Sequence, residues 1–176
     1  MKLVTTVLLF AAALSAQGIV NPLVETSKAV YGIAKNDVTK STAKVPDALW
    51  SYRPTKDIRT FGQVFAHIAD TQYEFCGPVN GETISKDIEK TATTKAQIVA
   101  ALKDAFAYCD ATYAKLNDAK AAETVKFFGM TVTKLGLMDF NIAHVMEHYG
   151  NLVTYMRLNN IVPPSSEQGP PPAAKK

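Results

Sequence analysis

Residues 140–152, "FNIAHVMEHYGNL", decide how this chain is read. They contain His144 and His148, two of only three histidines in the sequence. On a helix, residues four apart share a face, with Cβ atoms about 5–6 Å apart. Leu137, Phe140, His144, His148, Leu152 and Tyr155 fall on one line of a helix expected over 134–159. An imidazole on a buried stripe needs partners for its nitrogens. Two on successive turns ask for two separate partners or one shared metal ion, and the spacing alone leaves both readings open.

Three more helical rhythms lie upstream. The first covers 21–44, with Asn21 as N-cap, Pro22 as first helical residue, and Leu23, Val24, Val30, Ile33, Ala34 and Val38 as its apolar stripe. The second starts at Thr60 and carries Phe61, Val64, Phe65, Ile68 and Phe75, with His67 beside that stripe. Gly77 and Pro78 are expected to end it. The third spans 94–116, with Thr94 and Gln97 forming a capping box and Ile98, Leu102, Phe106, Cys109 and Tyr113 facing inward. The connector "KVPDALWSYRPTKDIRT" holds Pro46 and Pro54, which stop helices, and Trp50 and Tyr52, which are expected to pack on the body. In "AETVKFFGMTVTKLG", β-favouring residues surround Gly129, so a short hairpin, an extended flap or an irregular segment is expected there.

Four amphipathic helices of similar length predict an all-α, four-helix bundle with a short extended segment between helices three and four. The 17 residues from 77 to 93 exceed what antiparallel neighbours need, which permits helices two and three to run parallel.

The two ends read differently from the middle. "MKLVTTVLLFAAALSAQG" has Lys2, an apolar run and small residues, the layout of a secretory signal peptide. Cleavage after Ala16, or after Ala13, would leave an exported chain, periplasmic or secreted, with no stable membrane anchor; an uncleaved anchor is the alternative. Residues 1–16 are thus assigned to a leader, 17–162 to the bundle, and 163–176 to a disordered proline-rich tail. A net charge of +3, with basic residues spread along the chain, gives no footprint for nucleic acid. Cys76 and Cys109 read equally as a disulfide of an exported protein or as two small buried hydrophobes.

His67 also leans toward the core, so a bundle can bring His67, His144 and His148 onto one ion. Three imidazoles leave an open coordination position and suit a divalent transition metal, zinc or nickel foremost, with iron, copper and manganese as further candidates. Glu147 is not placed as the base of the H-E-x-x-H pattern, and reads as a solvated residue. Asp70, Glu74, Asp139 and Asn141 are candidates to orient a histidine or a water. No catalytic residue is assigned.

The stretches "LWSYRPTKDIRTFGQ", "FGQVFAHIADTQYEFCGPVNG" and "NIAHVMEHYGNLVTYMRLNNIVPPSS" resemble the DinB/YfiT-like family over about residues 21–166. The ordered features are R-P-T, a lone histidine, then H-x3-H followed by G-N-L. The resemblance implies a bundle of up-down-down-up order and a divalent metal held by His67, His144 and His148. It also implies a homodimer and an unidentified small-molecule substrate. Some members are thiol-dependent transferases or isomerases; others are described as metal-dependent hydrolases. The expected function is therefore a metal-dependent hydrolase or transferase. The alternative is a non-catalytic, exported metal- or ligand-binding bundle. The leader and the proline-rich tail are additions to the family pattern.

Overall fold

The computed structural model describes residues 19–167. In chain order its elements are α1 (Pro22–Lys44), α2 (Phe61–Val79), α3 (Ile88–Thr91), α4 (Lys95–Ala114), α5 (Asp118–Ala121), β1 (Thr124–Phe127), β2 (Met130–Thr133) and α6 (Lys134–Leu158). Short 3-10 turns sit at Asp47–Leu49 and Pro164–Ser166. The leader assigned to residues 1–16 lies outside the described residues. No described helix is long and apolar enough to cross a membrane.

The four long helices form an all-α bundle, and their contacts give its order. A Cβ on Gly62, at the start of α2, would lie 3.5 Å from Ile98 near the start of α4, and Cys76 and Cys109 near the two helix ends are disulfide-bonded. Thus α2 and α4 run parallel. Ser27 in α1 bonds both Tyr113, at the end of α4, and Asp139, at the start of α6. Phe61, His67 and Phe75 of α2 meet Tyr155, His148 and Phe140 of α6, so these two helices are antiparallel. The order is up-down-down-up, and the long connection after α2 makes the crossover.

Local side-chain chemistry starts three of the four long helices. Thr60 and Thr94 both form complete capping boxes, with Gln63 and Gln97. Thr133 accepts from the Gly136 N–H and starts α6. Asn21 occupies the N-cap position of α1 but makes no side-chain cap. The Asp118 carboxylate, from α5, instead accepts the N–H groups of Leu23 and Val24 at 3.3 and 3.0 Å.

Three expectations are corrected. The buried face of α1 is Val24, Ser27, Tyr31, Ala34 and Val38, whereas Leu23, Val30 and Ile33 are exposed. Polar-tipped Ser27 and Tyr31 fill core positions because their hydroxyls find partners there, including the Phe106 carbonyl. Helix α2 continues through Gly77 and Pro78 to Val79. Its end is closed by the Glu82 N–H, which reaches back to the Gly77 carbonyl at 2.9 Å. A side chain at Gly77 would meet the Glu82 carbonyl oxygen at 3.0 Å. Finally, residues 163–167, read as tail, are seated on the body: Pro163 and Pro164 are buried, Ser165 bonds Tyr149, and Glu167 pairs with Lys44. The rest of the tail lies outside the described residues.

The segment around Gly129 is an antiparallel hairpin, pairing Thr124 with Thr133 and Phe127 with Met130. Its two-residue loop, Phe128–Gly129, has φ of 44° and 79°, the double left-handed turn that matches strand twist. Phe127 packs on Phe75 and Phe140 and closes this end of the α2–α6 seam.

Cys76 and Cys109 are both fully buried. Their bond closes a sequence separation of 33 and ties α2 to α4. Replacing both with alanine is expected to lower unfolding stability by about 2–4 kcal/mol, through loss of the crosslink on the unfolded chain. Urea unfolding of the oxidised wild type against the double variant measures it; an unchanged midpoint would contradict the role.

Candidate metal centre

The antiparallel packing of α2 and α6 sets His67 opposite two turns of α6. The ring centroids of His67 lie 5.2 Å from His144 and 4.6 Å from His148. One nitrogen from each of the three rings lies within 4.8 Å of the others. The His144 and His148 Nε2 atoms face each other at 3.1 Å. Phe75 packs on His144 at 5.3 Å and supplies an apolar wall.

Outer partners orient two of the rings. His67 Nδ1 lies 3.3 Å from Glu89 Oε2, which leaves its Nε2 for the cluster. Glu89 is itself fixed, because Arg59 Nε donates to its other oxygen at 2.9 Å. The short helix α3 that carries Glu89 is held by Asp70, whose carboxylate accepts the N–H groups of Ile88 and Glu89 at 2.7 and 2.8 Å. His148 Nδ1 faces the Asn151 amide at 3.5 Å. His144 Nδ1 is buried with no hydrogen-bond partner, the single such side-chain atom among the described residues.

Burial sets the protonation state. It is the main cause that lowers His144 and His148 to about 4, with the neighbouring histidine adding to it in each case. His67 is lowered too, by burial first and then by Arg59 and His144. All three imidazoles are therefore neutral at pH 7, and neutral imidazole is the form that binds a metal.

The donor set fits a borderline divalent ion. Neighbouring nitrogens on an octahedral or tetrahedral ion lie about 2.8–3.4 Å apart, given bonds near 2.0–2.1 Å. The 3.1 Å between His144 and His148 matches that span. A cavity of about 570 Å³ reaches the cluster at His148. Its walls include Arg53, Lys56, Arg59, Glu89, Glu147 and Tyr155.

Of the other residues singled out in the sequence, none bonds a histidine. Asp70 acts one step away, through α3. Glu74 is exposed, Asp139 accepts from Ser27 at 2.6 Å, and Asn141 pairs with Gln72 in the core. Glu147 lines the cavity next to His148. Glu89 and Arg59 were not singled out. Glu89 sits on a four-residue helix, too short to show any periodicity.

This fold and this cluster define a class, the helical bundles with a histidine triad between two antiparallel helices. The DinB superfamily model matches residues 33–152, and the chain belongs to that superfamily. Among solved structures, a DinB-like protein from Bacillus cereus superposes with a TM-score of 0.70 at 16% identity, covering 80% of this chain and 95% of that one. A DinB-like protein from Bacillus subtilis gives 0.66 at 18% identity, covering 85% and 100%. YfiT from Bacillus subtilis gives 0.62 at 15% identity, covering 82% and 92%, and is described as "a probable metal-dependent hydrolase with an unusual four-helix bundle topology". No curated protein matches the sequence.

Two outcomes are expected. Glu89→Ala should weaken metal binding about 10–100-fold, since it removes the acceptor that orients His67; competition titration against a chromophoric chelator reads it, and wild-type affinity would contradict the role. The second concerns pH in the metal-free protein. The folded values for His144 and His148 lie near 4, below the ordinary 6.5, so between these values the unfolded chain binds more protons. This contribution to stability is full above about pH 6.5 and is lost as pH falls through about 4. Urea unfolding across that range should show a shallower decline in a His144→Gln/His148→Gln variant. Equal slopes would show that these histidines do not carry the effect.

Proposed function

We propose that His67, His144 and His148 together bind one divalent transition metal ion, zinc or nickel foremost, and that the protein is an exported metal-dependent hydrolase or transferase. The observation that carries this reading is the convergence of three neutral imidazoles, one of which, His148, lines a cavity large enough for a small molecule. When bound, the ion supplies Lewis acidity to a water or to a substrate heteroatom.

The chain's own residues divide the remaining work. Glu89 accepts the Nδ1 proton of His67 and so fixes the tautomer that turns Nε2 to the centre. Arg59 holds Glu89 in place. The apolar wall of Phe75, with the hairpin beyond it, excludes water from the side away from the cavity. Glu147 lines the cavity beside His148, has no ion-pair partner among the described residues, and is the carboxylate placed to take up a proton there.

Three further facts support the reading. Structural zinc sites are closed by four protein ligands, whereas the histidine cluster among the described residues has three members. This favours an enzyme over a non-catalytic metal-binding bundle. The description of YfiT as a metal-dependent hydrolase supports the same class. The buried disulfide supports export, since such bonds persist in oxidising compartments, in keeping with the leader pattern of residues 1–16.

The test is elemental analysis of the mature protein, purified without a chelator or a histidine tag. About one equivalent of a transition metal is expected in the wild type, and His148→Ala should lose it. Glu147→Gln should keep the metal and lose turnover of whichever ester, amide or thiol substrate screening finds. Full metal occupancy in His148→Ala would refute the ligand assignment.

A further inference from the structure

The loop that lines one part of the cavity carries charge that is not used in ion pairs among the described residues. Residues 53–60 leave the body at Tyr52 and return at Phe61, and the two ends are tied by the Phe61 N–H to the Tyr52 carbonyl at 3.0 Å. A second tie joins the Gly62 N–H to the Trp50 carbonyl at 2.9 Å. Trp50 stacks on Phe65, Tyr52 packs on Phe61 and Tyr155, and the Tyr155 hydroxyl donates to the Arg59 carbonyl at 2.9 Å. The root of the loop is therefore fixed, and residues 53 and 56–59 line the cavity that also includes His148.

Three basic residues of this loop line the cavity: Arg53, Lys56 and Arg59. Arg59 is committed to Glu89. Arg53 and Lys56 have no carboxylate within ion-pair distance among the described residues, although Asp57 and Glu147 line the same cavity. Two acids flank the histidines: Glu89, held by Arg59 and 3.3 Å from His67, and Glu147, whose charge acts on both His144 and His148. The cavity lining thus combines acids beside the histidines with two cations on the loop that have no ion-pair partner among the described residues.

We propose that the cavity takes a small molecule bearing an oxyanion, a carboxylate or a phosphate, which Arg53 and Lys56 hold while its reactive end lies at His148. The reactive end rests on the metal reading above; the anion subsite stands on the loop alone. A guanidinium fork matches the paired oxygens of either anion, and an ammonium adds a point charge beside it.

Two arms test it. On the metal-free mature protein, acetate and inorganic phosphate are titrated separately while the backbone N–H groups of residues 55–60 are followed by NMR. A saturable shift is expected with at least one of them, weakened by salt and absent in Arg53→Ala, with the rest of the spectrum unchanged. The stronger of the two identifies the oxyanion. No saturable shift with either would overturn the proposal.

On the cobalt-loaded protein, 3-mercaptopropionate, 3-mercaptopropanol and cysteamine are compared through the thiolate-to-cobalt absorption band. The acid should bind about tenfold tighter than the alcohol, and the amine weakest. Arg53→Ala and Lys56→Ala should remove the advantage of the acid and leave the alcohol unchanged. Equal or tighter binding of the alcohol or the amine would overturn the subsite and leave the metal reading standing. Failure to take up cobalt would remove the metal reading, and the acetate and phosphate titrations would then decide the subsite alone.

Discussion

The antiparallel seam between α2 and α6 is the constraint on which the rest depends. Each step forward along α2 is a step back along α6, from Phe61 against Tyr155 to Phe75 against Phe140. Next to the Phe75–Phe140 end, Gln72 and Asn141 exchange hydrogen bonds at 3.1 and 3.0 Å, and both are completely buried. A slip of the seam would break both bonds between these two side-chain amides in an apolar interior, which is costly. That pair fixes the register, and the register puts His67 opposite the His144–His148 face. The site follows from helix packing, with no loop needed to assemble its three rings.

Other elements serve the seam. The disulfide binds α4 to α2 close to the amide pair, and the hairpin caps the Phe75–Phe140 end. The crossover between α2 and α4 gives rise to α3, whose anchoring by Asp70 delivers Glu89 to His67. The connector before α2 delivers Arg59 to Glu89 and supplies part of the cavity lining. The two long connections of the bundle thus supply the polar surroundings, while the helices supply the histidines.

Most of the architecture was legible because it rests on short-range signals. Thr60 and Thr94 mark helix starts in the sequence, the second with Gln97 as its box partner, and both start helices in the structure; the same local chemistry at Gln63 and Thr133 was not singled out. The histidine cluster was legible because two of its members share a helix face and the third sits on a facing helix. What escaped depends on distant partners. Ser27 and Tyr31 look polar in sequence, and only their hydrogen bonds across the bundle make them core residues. Asp118 caps α1 from 94 residues away in sequence. Glu89 reaches His67 from a helix too short to have a pattern. Pro163 and Pro164 carry the composition of a tail, yet they are buried against the bundle.

The functional account reduces to one claim, that three imidazoles converge on one ion and leave it open toward the cavity. X-ray absorption at the edge of the bound metal, recorded on the mature protein, tests this most directly. The account predicts a first shell of three imidazole nitrogens with at least one light, exchangeable ligand, and loss of one imidazole in His67→Ala. A shell containing sulfur, or a fourth protein ligand closing the site, would contradict it.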